Sequence, residues 1–323
     1  MRQAADMSRW KGRVDEEEGI SGRRWHQVVQ ALESTNEVTG AALIGFACDA
    51  GVARNHGRPG ASDGPAALRS MLGNMPVHRS TAIIDAGDVV CSTVGNSDGL
   101  EQAQEELADV VADLLERGFL PIVMGGGHEM AYGSFSGLAR SFVTTSEVVG
   151  PRIGIINLDA HFDLRLTERA SSGTPFRQIS EDCQAKGWTF HYCCLGVSRF
   201  SNTEPLFERA NSLGVRWRSD EEMESRHLPE TLTTLGDFLT EVDHIYFTIC
   251  LDVLPSSLAP GVSAPAVRGV SLDVIEAIVD VVAASSKLRI ADIAELNPTH
   301  DIDQRTARVA ARLVARVVER VKI

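Results

Sequence analysis

From about residue 40 onward, short apolar runs of strand length alternate with longer stretches whose apolar residues fall at helical spacing. No other feature constrains the fold as much. A strand that returns through a helix to a strand of the same direction builds a parallel sheet. The expected class is therefore α/β, a mainly parallel eight-stranded sheet with helices on both faces. The predicted strands are 42–46, 81–84, 120–124, 153–158, 190–195, 215–217, 244–251 and 288–293. Helices are predicted over 64–72, 100–117, 128–141, 203–213, 229–240, 272–284 and 303–322. No linker interrupts this pattern, so residues 41–323 read as a single domain. Residues 1–40, polar and weakly patterned apart from a short helix near 25–32, read as an N-terminal arm on the body.

Bulk properties exclude several classes of function. A net charge of -13 opposes binding to nucleic acid or to an anionic membrane, because polyanions are held by basic faces that release counterions. The six cysteines lie mostly inside apolar runs of a long chain rather than in a dense disulfide framework, which points to reduced thiols and a cytoplasmic setting. Glu16, Glu17 and Glu18 stand where an export signal needs apolar residues, and no apolar run is long enough to span a bilayer.

The chemistry sits where strands end, because in open α/β sheets the loops after the carboxyl ends of strands form the ligand crevice. The apolar run 153–156 leads into Asn157, Leu158, Asp159, Ala160, His161, Phe162 and Asp163. In extended chain Asp159, His161 and Asp163 share one face, and two carboxylates beside an imidazole make a site suited to manganese or zinc. The run 120–124 ends in Gly125, Gly126 and Gly127, which deliver His128 to the same rim and leave room above the backbone. The run 244–251 brings Cys250 and Asp252 to a third strand end.

At these residues the chain resembles the ureohydrolase family of arginases, agmatinases and formimidoylglutamases over about residues 41–320, and among them most the formimidoylglutamases. The resemblance implies a three-layer arginase-like fold and two Mn2+ ions per subunit. It has His128 and Asp163 on one ion, His161 and Asp252 on the other, and Asp159 bridging. It also implies a homo-oligomer. Cys250 departs from the family pattern, which has a second bridging aspartate there. Its sulfur either ligates metal as thiolate or packs as a small buried hydrophobe. Ser172 departs too, standing where arginases and agmatinases carry a proton-transferring histidine, so a different substrate is expected.

Arginines crowd two mouth loops: Arg54, Arg58 and Arg69 in the first, Arg165, Arg169 and Arg177 in the second. In an acidic chain this local excess suggests an anion pocket, with Arg58, Arg165, Ser172 and Arg177 as substrate contacts, although loop arginines can equally be solvated. The segments 51–61 and 258–265 are more similar to formimidoylglutamases than to arginases. The resemblance makes Glu295, in the Asp292 to Pro298 segment, the acceptor for amidine N–H groups, and a site so built lets Asp163 pass a proton to the departing amine. The activity it implies is hydrolysis of N-formimidoyl-L-glutamate, a small dicarboxylate, to L-glutamate and formamide in histidine degradation. A guanidino hydrolase and a metal-poor binding protein of the same fold are the alternatives.

Overall fold

The computed structural model describes residues 1–323 apart from 80, 94, 96, 144–149 and 323. Its strands are β1 (Arg2–Gln3), β2 (Gln30–Ala31), β3 (Gly40–Ala47), β4 (Ile83–Val90), β5 (Phe119–Gly125), β6 (Ile153–Leu158), β7 (His191–Val197), β8 (Arg216–Ser219), β9 (His244–Cys250) and β10 (Leu288–Ala294). They form one sheet in the order β1-β4-β3-β5-β10-β9-β6-β7-β8, with β2 paired to β4. All pairings are parallel except β1 with β4. Strands β5 and β6 are buried at every residue, as expected of parallel strands covered on both sides.

The helices are α1 (Ala50–Arg54), α2 (Gly64–Leu72), α3 (Leu100–Glu116), α4 (Met130–Val143), α5 (Pro175–Ala185), α6 (Glu204–Ser212), α7 (Leu228–Glu241), α8 (Leu272–Ala284) and α9 (Arg305–Arg320). Side-chain alternation along the strands separates two apolar cores. Leu68 of α2, Phe238 of α7, Ile278 of α8 and Leu313 of α9 bury against one face. Leu107 of α3, Phe135 of α4, Ile179 of α5 and Leu206 of α6 bury against the other. The result is the expected three-layer arginase-like architecture. Among the described residues no helix is long and apolar enough to cross a membrane.

Four expectations need correction. The sheet has ten strands among the described residues, not eight, because the first forty residues add β1 and β2 to its β4 edge. Instead of a helix over 25–32 there is one 3-10 turn, Trp25–Gln27, followed by β2. Strand β4 runs six residues past the predicted end at 84, through Asp85 and Asp88. Those acids can occupy a strand because fully buried Arg69 bonds both, at 2.8 and 2.7 Å, while the Trp10 indole donates to Asp85 at 2.7 Å. Finally, two helices lie outside the predicted set: α1, only five residues long, and α5, whose apolar stripe is limited to Phe176, Ile179 and Cys183.

Candidate metal centre

The loops leaving β3, β5, β10, β9 and β6, which are neighbours in the sheet, surround one pocket of about 220 Å³. His128, His161, Asp163, Cys250, Asp252 and Glu295 line its interior, with Arg165 and Ser172 in the wall. Asp159 lies beneath them with no exposed surface. Its two carboxylate oxygens face different imidazoles. Oδ2 is 3.0 Å from His128 Nδ1, and Oδ1 is 3.4 Å from His161 Nδ1. Asn157 Nδ2 donates to Oδ2 at 3.1 Å and the His161 backbone N–H to Oδ1 at 2.7 Å, so the carboxylate cannot swing. Asp163 Oδ2 approaches His128 Nδ1 at 3.0 Å, and Asp252 Oδ2 approaches His161 Nδ1 at 3.0 Å.

The donor atoms fall into two overlapping groups. One atom each from His128, Asp159 and Cys250 lie within 4.8 Å of one another, as do those of Asp159, His161 and Asp252. Asp159 belongs to both. His128 Nδ1 is buried and makes no well-aligned hydrogen bond despite the oxygens around it. Four carboxylates share this space, and among the described lining residues the one arginine or lysine, Arg165, is exposed at the rim. Such a buried excess of negative charge calls for cations, so the donor set fits a pair of divalent ions.

Protonation in the metal-free protein reflects the same crowding. Burial disfavours the charged form of both imidazoles, yet the adjoining carboxylates hold His128 and His161 well above the usual range. Burial and the neighbouring Asp159 push Asp163 up to about 6, and burial pushes Glu295 up to about 7. Burial, then Asp159, Asp252 and Glu295, drive the Cys250 thiol far up. Asp163 and Glu295 have φ of 49° and 72°, a left-handed backbone that side chains rarely adopt and that persists only where the surroundings impose it.

The convergence expected from strand alternation is achieved differently for the first motif. β6 stops at Leu158, so Asp159 to Asp163 curl through a loop and the turned backbone at Asp163 aims its carboxylate inward. The arginine expectation needs more revision. The Arg58 guanidinium is spent on the carbonyls of Ser263, at 3.2 Å, and Val262. Arg177 lies on α5 and binds Glu181 and the Arg165 carbonyl, at 2.7 and 2.8 Å. Neither lines the pocket. Arg54 and Arg169 are paired with Asp98, and Arg69 with Asp85. Acids distant in sequence neutralise this cluster, which a local count of charge cannot reveal. Asn55, His56, Gly57, Ser263 and Ala264 also line the pocket; they fall in the segments 51–61 and 258–265 that carry the resemblance, but are not among the expected site residues.

Cys250 can be tested directly. Its sulfur sits within the His128 and Asp159 group. Replacing a soft donor by a hard one, Cys250→Asp, is expected to tighten Mn2+ binding by about tenfold, and Cys250→Ala to weaken it by about as much. Mn2+ titrations of the three proteins decide the matter, and equal affinities would reduce Cys250 to packing.

Comparison with known proteins supplies the lineage. The model of the Arginase family matches residues 39–319. A formimidoylglutamase of Ralstonia nicotianae is 62% identical over 99% of this chain and 97% of that protein. One of Aeromonas salmonicida is 53% identical over 95% of this chain and 96% of that protein. Among solved structures, Trypanosoma cruzi formiminoglutamase with Mn2+2 superposes with a TM-score of 0.75 at 27% identity, covering 88% of this chain and 95% of that one. Formimidoylglutamase from Bacillus subtilis reaches a TM-score of 0.81 at 22% identity over 96% of this chain and 94% of that one, a likeness of fold. Given a match that spans strands β3 to β10 and every strand end lining the pocket, this chain belongs to the arginase family.

Proposed function

We propose that the protein hydrolyses N-formimidoyl-L-glutamate to L-glutamate and formamide, using two Mn2+ ions held by His128, Asp159, His161, Asp163, Cys250 and Asp252. The observation that carries the reading is the pair of donor groups sharing Asp159 at the base of one pocket, in a chain whose relatives at 62% and 53% identity are formimidoylglutamases. When bound, such a pair lowers the pKa of a shared water toward neutrality, so that hydroxide is supplied at neutral pH.

The chain's own groups do the rest. Glu295 Oε1 accepts the His128 backbone N–H at 3.1 Å, while Oε2 is buried without a partner and can take an amidinium N–H. That contact holds the carbon in plane for attack and favours the cationic substrate. Asp163, whose carboxylate lines the pocket beside His128, can take the proton released by the attacking water and pass it to the departing amine nitrogen. Asn55 Nδ2 donates to Ser172 Oγ at 3.2 Å, fixing a polar wall opposite. Arg165 stands at the rim without a side-chain partner among the described residues, free to pair with a substrate carboxylate. We read residues 41–323 as the catalytic unit of a cytoplasmic homo-oligomer, with 1–40 as an arm closing one sheet edge.

Turnover of N-formimidoyl-glutamate, arginine, agmatine and guanidinobutyrate by the Mn2+-loaded protein tests the reading. Activity confined to a guanidino compound overturns it. Arg165→Ala is expected to lower kcat/KM on the dicarboxylate by about tenfold or more, mostly through KM, because a charge-assisted pair is worth about 1.5 to 3 kcal/mol. Arg58→Ala and Arg177→Ala should act chiefly on thermal stability. If Arg165→Ala matches the parent, the carboxylates are bound elsewhere.

A further inference from the structure

His128 can give a metal only a nitrogen that carries no proton, so its tautomer decides whether it can be a ligand. Its Nδ1 faces Asp159 and Asp163, and its Nε2 lies 3.0 Å from Thr248 Oγ1. A hydroxyl can accept from an imidazole N–H or donate to a bare nitrogen. What matters is where the hydroxyl sends its own proton.

The sheet supplies an answer. Thr248 of β9 is in register with Asp292 of β10, and both are buried on the face that carries Tyr246 and Ile290. Asp292 Oδ2 accepts the Tyr246 hydroxyl at 2.6 Å, whereas Oδ1 is buried without a hydrogen-bond partner. An unmet carboxylate oxygen in the core is costly, and the hydroxyls of Thr248 and Ser134 reach the Asp292 carboxyl group. A Thr248 proton turned toward Asp292 leaves the Thr248 oxygen as acceptor for His128 Nε2–H.

We infer that Asp292 and Thr248 are positioning residues for the metal centre, a relay in which Asp292 orients the Thr248 hydroxyl, Thr248 receives Nε2–H of His128, and Nδ1 is thereby kept bare toward the ion. A ligand histidine whose second nitrogen is so held is fixed in orientation and more basic, and losing the outer partner typically weakens metal binding by about ten- to a hundredfold. The inference rests on the metal-binding reading of the site. It assigns Tyr246 a further part, since that hydroxyl occupies Oδ2 and leaves Oδ1 for Thr248.

Mn2+ titration followed by the resonance of free Mn2+, on the parent protein and four variants, tests the relay. Thr248→Val keeps the shape and removes the hydroxyl. Asp292→Asn keeps the shape and reverses polarity, because Tyr246 claims the amide oxygen and turns the NH2 toward Thr248. Both are expected to weaken one of two ions by about ten- to a hundredfold and leave the other within about threefold, while Thr248→Ser stays within about threefold of the parent. The double variant should bind no more weakly than either single one. Parental affinity in both Thr248→Val and Asp292→Asn overturns the relay, as does a Thr248→Ser loss equal to that of Thr248→Val, which would mean that the methyl group matters. A parent that binds no Mn2+ fails the metal reading itself, a result distinguishable from either.

Discussion

Asp159→Ala is expected to abolish binding of both ions together and to lower kcat/KM by about a thousandfold or more, roughly 4 kcal/mol of transition-state stabilisation. Asp159 is the residue common to both donor groups, with Oδ2 turned to His128 and Oδ1 to His161. On the proposed two-ion reading, removing it would take a hard oxygen from both donor groups at once. Asp252→Ala, by contrast, removes a donor from the His161 side and should leave one ion bound. Metal content after dialysis, measured alongside kcat/KM and a circular-dichroism check of folding, separates the two. An Asp159→Ala protein that stays folded and retains one tightly held ion would show that the carboxylate does not bridge.

Why that residue could be found in the sequence, while others could not, has a physical basis. Asp159, His161, His128, Cys250 and Asp252 follow buried apolar strands, and a parallel sheet must gather those strand ends along one rim. Their convergence therefore follows from the alternation of strands and helices alone. The pairing of Arg54 with Asp98 and of Arg69 with Asp85 depends on contacts 44 and 16 residues apart in sequence, which no local pattern encodes. Three of the six mouth arginines were thereby tied to carboxylates of other elements, and Arg58 to carbonyls of the 260–263 loop. Arg165 was left at the pocket. Strand β4 was cut short for a related reason. Asp85 reads as the end of an apolar run until the buried Arg69 guanidinium is seen beside it. Thr248 was within reach, because the same period of two that pairs Cys250 with Tyr246 places Thr248 between them on one face.

Glu295 carries the other large effect. Its backbone is left-handed at φ 72°, its N–H donates to the Gly126 carbonyl at 2.8 Å, and its Oε1 is fixed by the His128 N–H. The left-handed turn thus holds Glu295 in the pocket wall with Oε2 lacking a hydrogen-bond partner, an acceptor available to the proposed reaction. Glu295→Gln is expected to lower kcat/KM by about a hundred- to a thousandfold, some 3 to 4 kcal/mol, with two ions still bound. Stability should move the other way. The folded-state pKa, raised by burial to about 7 from an unfolded value of 4.5, means that the parent loses stability as pH rises from the unfolded value through the folded one. Above pH 7 the ionised Glu295 destabilises the metal-free fold, and Glu295→Gln, having no proton to lose, should melt at higher temperature than the parent at pH 8 and show no such gain at pH 4. Thermal melts in chelator at the two pH values, with kcat/KM and metal content on the loaded protein, measure both effects. Loss of bound metal in step with activity would make Glu295 a support of the ion site, and parental activity in Glu295→Gln would remove it from the reaction.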